Sequence, residues 1–95
     1  MTKADIVNEI SLKTVIEKIA VQTTIEAFFN EVKGAVSSGE NVYLRGFGSF
    51  EVKRRAEKTG RNISQNTTLV IPAHNIPAFK PSKKFTSIVK QKLPV

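Results

Sequence analysis

At 95 residues, with a net charge of +7 and no cysteine, the chain is expected to form one small domain with a modest core, without disulfides or thiolate metal sites. The charge is segregated: Lys3, Lys13, Lys18 and Lys33 face six carboxylates in residues 1–40, a balance of −2, whereas the other eleven cations face only Glu51 and Glu57, a balance of +9. An acidic-to-neutral body therefore carries a basic half suited to a polyanion. The first residues contain no apolar signal-like core, and the apolar runs fall far short of the ~18 residues a spanning helix needs. The expected setting is the cytoplasm, away from membranes.

Thr2, with Asp5 three residues on, is a variant capping box opening a short first helix whose Ile6, Val7 and Ile10 share a face. That pattern loses phase after Ser11, which predicts a turn near Thr14-Val15-Ile16. Val21, Ile25, Phe28, Phe29, Val32 and Val36 then recur at threes and fours. The second helix should stop at Ser37-Ser38-Gly39, where Gly39 supplies a left-handed cap. A helix of ~20 residues is ~30 Å long. That exceeds what so small a core would cover, so a second copy is expected to bury part of it.

From Val42 the period changes to two: Val42 and Leu44 alternate with Tyr43 and Arg45, Gly46-Phe47-Gly48-Ser49 turns the chain, and Phe50 and Val52 alternate with Glu51 and Lys53. The stretch from Lys53 to Lys80 is long, basic, polar and unable to bury itself. Its return leg, Thr67 to Phe79, is β-branched and apolar at first, with Pro72 and Pro77 restricting it to strand ends, bulges or edges. Ser82 is the expected N-cap of a last helix whose stripe is Phe85, Ile88 and Val89.

The basic half bears Arg45, Lys53, Arg54, Arg55, Lys58, Arg61, Lys80, Lys83 and Lys84. Two subunits would neutralise roughly 6 to 10 phosphates, and binding would weaken about 10³- to 10⁵-fold between about 50 and 200 mM salt. Gly46 and Gly48 do not form a phosphate-cradling fingerprint, since Glu51 occupies the third glycine position and no helix follows; a tight turn is the better reading. His74 has no carboxylate near it in sequence and suits a phosphate-facing surface rather than a metal or a catalytic base. The phenylalanines could stack bases in an RNA or single-strand binder, but their positions in the pattern favour a core and dimer interface made by Phe28, Phe29, Val32, Leu44, Phe47, Phe50 and Phe79. One histidine, no cysteine and no paired carboxylates in the basic half leave no inventory for an enzyme. No cofactor or metal is expected.

Gly46-Phe47-Gly48-Ser49-Phe50, Gly60-Arg61-Asn62, Ile71-Pro72-Ala73, Ile76-Pro77-Ala78-Phe79-Lys80 and Lys83, together with the opening Met1-Thr2-Lys3-Ala4-Asp5-Ile6-Val7, resemble the signature of the bacterial HU and integration host factor family of histone-like, DNA-bending proteins. The resemblance covers essentially the whole chain. It implies an α+β fold in an intertwined dimer, with an N-terminal helical hairpin, a small antiparallel sheet with a protruding β-arm, and a short C-terminal helix. In this reading residues 1–95 are one DNA-binding domain. Residues 1–39 form the helical dimerisation body, 41–80 the sheet and arm with the arm at about 54–75, and 82–92 the last helix.

The resemblance further implies a nucleoid-associated architectural protein, a homodimer or a heterodimer with a paralogue. It would bind double-stranded DNA through the minor groove with low sequence specificity, and bend or compact it. Bent, nicked or distorted duplexes should be favoured, because part of the unstacking cost is already met. Besides the cations above, the implied contacts are Lys3, Gly46, Ser49, His74 and the arm tip Asn62, Ile63, Ser64, Gln65 and Asn66. The family pattern at that tip is Arg-Asn-Pro-x-Thr-Gly. Here Ile63 replaces the proline that wedges between base pairs, Gln65 the threonine, and Asn66 the glycine. Isoleucine is among the side chains that serve as minor-groove wedges, though it lacks the fixed φ of proline. Val15 stands where the family usually has glycine between its first two helices, and Ser82 where glycine precedes Lys83. The alternative to the DNA reading is an RNA-binding or ribosome-associated basic domain.

Overall fold

The computed structural model describes residues 1–62, 64–65 and 67–95. The chain divides into two compact units, Met1–Ala35 and Val36–Val95.

In the first unit, α1 (Lys3–Thr14) starts at the expected capping box, with Thr2 accepting from the Asp5 N–H and the Asp5 carboxylate accepting from the Thr2 N–H. The helix ends at Val15, whose φ of 59° and ψ of 26° are left-handed and whose N–H donates to the Ser11 carbonyl. A β-branched residue rarely takes that conformation. The turn lies where the broken periodicity put it, and its geometry is a glycine's geometry built with valine. Thr14 and Ser11 brace it: their hydroxyls donate to the Ile10 and Ile16 carbonyls, at 2.6 and 2.7 Å. The second helix, α2 (Lys18–Ser37), follows. Val7 of α1 and Val21 of α2 are buried, only 3% and 5% exposed. The end of α2 falls at the expected place, since Gly39 has φ 88° and its N–H donates to the Val36 carbonyl.

The second unit holds β1 (Val42–Leu44), β2 (Gly48–Arg55), β3 (Lys58–Asn62), β4 (Thr67–Ile71), β5 (His74–Pro81) and α3 (Lys83–Lys92). Strands β1, β2 and β5 form an antiparallel sheet in that order, and β3 pairs with β4 in a separate two-stranded ribbon. The return leg, read from sequence as one stretch, is two strands. Both legs are interrupted at one level, because the sheet ladder ends at Arg55↔His74 and the ribbon ladder begins at Lys58↔Ile71. Pro72 explains one side of the break, as it has no N–H to donate. Pro77 is accommodated because β5 is an edge of its sheet. Ser82 caps α3 as expected, its hydroxyl accepting from the Phe85 N–H at 3.1 Å.

The expected buried stripe of α3 is not buried within one chain: Ile88 and Val89 are exposed and Phe85 is half-buried. The pattern was read correctly as apolar, but a single chain supplies too little surface to cover it. The same holds more widely, since Val7 and Val21 are the only buried apolar residues among those described.

Candidate nucleic-acid interface

Strand alternation and ladder register together decide which side chains share a face. In the three-stranded sheet, Val42 pairs with Phe50, Phe50 with Phe79, Leu44 with Gly48 and Val52 with Pro77. This face is apolar. Phe50 lies 5.1 Å from Phe79 between ring centroids, and Phe47 from the turn lies 5.2 Å from Phe79 and 5.4 Å from Phe85. The opposite face carries the pairs Ser49↔Lys80, Lys53↔Ile76 and Arg55↔His74. Lys80, Lys53, Arg55 and His74 therefore project from one side of the sheet, and all four are exposed. The Arg54↔Asn75 pair, at the strand ends, belongs to the apolar side.

Among the described residues, Lys53, Arg55 and Lys80 have no ion-pair partner. Glu51 shares their face, and its carboxylate accepts from the Ser49 hydroxyl at 2.5 Å. Ser49 itself is buried, 8% exposed, so its side chain is committed within the chain. Arg45 and Gly46 sit in the β1–β2 turn, where Gly46 has φ 82°. Lys83 and Lys84 open α3 and are exposed. The His74 ring Nδ1 lies 2.9 Å from the Pro72 carbonyl at the base of the ribbon.

The ribbon contributes nothing to a core. Lys58, Thr59 and Arg61 of β3 and all of β4 are exposed. Register places Thr59, Val70, Arg61 and Thr68 on one side, and Lys58, Ile71, Gly60 and Leu69 on the other. Ser64 and Gln65 form a turn at the tip and are exposed. Ile63, read from sequence as the wedge, and Asn66, read as the turn residue, lie outside the described residues, as does the side chain of Asn62.

Lys3 is in the helical unit, where its ammonium donates to Glu26 Oε1 at 2.9 Å. That hydrogen bond, then one from the Gln22 amide and the charge of Lys3, hold the Glu26 carboxyl below its usual pKa. Sequence reading saw Lys3 as a phosphate contact but missed its partner, 23 positions away. It also passed over Tyr43, an exposed ring paired with Ser49 on the cationic face. Alternation with Val42 and Leu44 was the signal that could have found it. Of the expected interface residues, Phe28, Phe29, Phe47 and Phe79 are exposed in the chain, and Val32, Leu44 and Phe50 are half-buried.

No helix among the described residues is long and apolar enough to cross a membrane. Residues 1–90 match the family described as bacterial DNA-binding protein. The whole chain is 38% identical to integration host factor subunit alpha of Aliivibrio fischeri (strain MJ11), over 96% of that protein. Over 95% of its length the chain is 36% identical to the entire DNA-binding protein HU of Staphylococcus aureus (strain COL). Among solved structures, the Anabaena HU–DNA cocrystal structure superposes with a TM-score of 0.87 at 35% identity, covering 100% of both chains. The V42I mutant of HU from Thermotoga maritima does so with a TM-score of 0.73 at 26% identity, over 95% of this chain and 100% of that one. With the family match spanning residues 1–90 and relatives above 30% identity covered over nearly their whole length, the chain belongs to the HU and integration host factor family of bacterial DNA-binding proteins.

Proposed function

We propose that the chain works as a dimer that binds double-stranded DNA with low sequence specificity and bends or compacts it, as an architectural component of the nucleoid. The observation that carries this reading is the cationic sheet face of Lys80, Lys53 and Arg55, followed along the chain by an exposed ribbon with Lys58 and Arg61. Cations along such a surface hold phosphates without reading bases. A two-stranded ribbon with no core fits the minor groove, where Arg61 and Asn62 can distinguish little beyond A·T from G·C. Ile63 is the wedge that unstacks a base step at the tip, and the wrapped duplex offsets the cost, a few kcal/mol per step, by extra contact.

The dimer reading rests on the apolar surface a single chain leaves open, including the rings of Phe28, Phe29, Phe47 and Phe79. Each copy then contributes residues 1–39 to a shared body and its own arm to the DNA. The family is one of DNA-binding proteins rather than enzymes, and we assign this member a structural role on the bacterial chromosome in the cytoplasm, without a cofactor.

The test titrates the purified protein against end-labelled linear and nicked duplexes and a structured RNA at two salt concentrations, following complex mass and end-to-end energy transfer. Binding as a dimer, preference for the nicked duplex and a loss of bending in Ile63→Asp are expected. Equal affinity for the two duplexes with an unchanged bend in Ile63→Asp would remove the wedge, and tighter binding to the RNA would remove the function.

A further inference from the structure

The base of the ribbon holds the chain's single histidine, and its hydrogen bonding fixes what the ring can do. His74 opens β5, is exposed, and stands opposite Arg55 in the last pair of the sheet ladder. Its Nδ1 lies 2.9 Å from the Pro72 carbonyl oxygen. A carbonyl oxygen only accepts, so Nδ1 carries the hydrogen and Nε2 is the nitrogen with the lone pair. Nε2 is an acceptor in the neutral ring and becomes a charged donor only when the ring takes up a proton.

The charges around the ring set the condition for that uptake. β5 is an edge strand with β2 as its partner, and β2 sets Arg55 directly across from His74 and Lys53 on the diagonal. Lys58 opens the ribbon beyond the break. Glu51 is four residues from Arg55 along β2 and accepts from Ser49, and Glu57, in the break, lines a hollow with Arg54, Ala56 and Ala73. Among the described residues neither carboxylate forms an ion pair with the ring. In the free protein a further positive charge on His74 is therefore opposed by its cationic neighbours. A phosphodiester lying across Arg55 and Lys53 reverses the balance, because it supplies the anion the cluster lacks and an oxygen that accepts from a protonated Nε2.

We propose that His74 and Arg55 form a phosphate-binding pair that takes up a proton at His74 when duplex DNA lies on the cationic sheet face, so that DNA affinity is coupled to pH. The inference rests on the DNA-binding function proposed above and adds a regulating group to the same surface. Histidine is the side chain whose ordinary charge change falls between about pH 5 and 8. The phosphodiesters, lysines and arginines that make the remaining contacts keep their charge through that range. Falling pH therefore tightens the hold at the base of each arm, and rising pH loosens it.

The test measures the affinity of the full chain for a linear duplex at about pH 6 and about pH 8 and constant ionic strength, beside His74→Gln. The imidazole carbon-bound proton, unambiguous in a chain with one histidine, is followed by NMR across the same range with and without duplex. The parent is expected to bind about tenfold more tightly at the lower pH, the change that a shift of one unit in a single midpoint produces. The imidazole midpoint is expected to rise when duplex is present, and His74→Gln to lose the pH dependence. A parent that binds equally at both pH values, a midpoint that duplex leaves unmoved, or a His74→Gln variant that keeps the parent's pH dependence overturns the proposal. Binding that is pH-independent leaves the DNA-binding function standing, whereas the absence of any complex at either pH overturns that function and this inference with it.

Discussion

Gly48 lies directly against Phe79: a Cβ on Gly48 would come within 2.7 Å of the ring's Cζ and 2.5 Å of the Lys80 carbonyl oxygen. The approach of β2 to β5 at this point therefore requires a residue without a side chain. Gly48→Ala must push the Phe79 ring or the β5 backbone aside, and overpacking of this kind costs about 1–3 kcal/mol. A urea midpoint lowered accordingly, with the denaturant slope unchanged, is the expected outcome.

Val15 gives the opposite sign. Asparagine tolerates the left-handed backbone that valine occupies there, so Val15→Asn should stabilise the fold by about 1 kcal/mol. The measurement is a thermal melt at fixed protein concentration, because the midpoint of an oligomer depends on it. A melt lower than the parent's would mean that the valine side chain is packed in solution.

The two faces of the sheet predict different salt dependences. Lys53→Gln or Arg55→Gln removes a cation from the face that also carries Lys80, and the slope of log affinity against log salt should become shallower by about 1 for each copy that loses a phosphate contact. Arg54, on the other face, should leave the slope close to the parent's when changed to Gln. Anisotropy titrations over a salt series distinguish the two; equal effects at 54 and 55 would show that the cationic face does not meet the DNA.

Glu26 makes stability depend on pH in a stated direction. Its folded pKa lies below its ordinary value, chiefly through the hydrogen bond from Lys3. A carboxyl depressed in the folded state contributes fully above its unfolded pKa and loses that contribution as pH falls through the folded value. Lys3→Met should raise the Glu26 midpoint in an NMR carboxyl titration and move the acid limb of unfolding to higher pH. An unmoved midpoint would mean that the pair does not form in solution.

Much of the fold was legible along the chain because its signals are local. The Thr2–Asp5 box, the Ser82 cap and the Gly39 terminus each act over a few residues, and period-two alternation from Val42 to Lys53 already separates an apolar side from a polar one. The arm was legible for a different reason, as a run too polar and basic to bury. The break at Ala56–Glu57 carries no glycine or proline, and it follows from the opposite strand, where Pro72 withdraws a donor.

By itself the sequence determined the helices with their ends, the β1–β2 alternation and the surplus of positive charge, since caps, periodicity and composition are properties of neighbouring residues; the division of the arm legs into β2/β3 and β4/β5 was not among them. Only the tertiary structure decided that Lys53, Arg55 and Lys80 share a face while Arg54 does not, that Ser49 is buried against Glu51, that Lys3 is held by Glu26, and that Val15 takes a glycine's conformation. Each of these depends on strand register, on a partner distant in sequence, or on a backbone angle. Side-chain identity constrains such relations without specifying them, because the free energy that selects among them comes from the assembled fold.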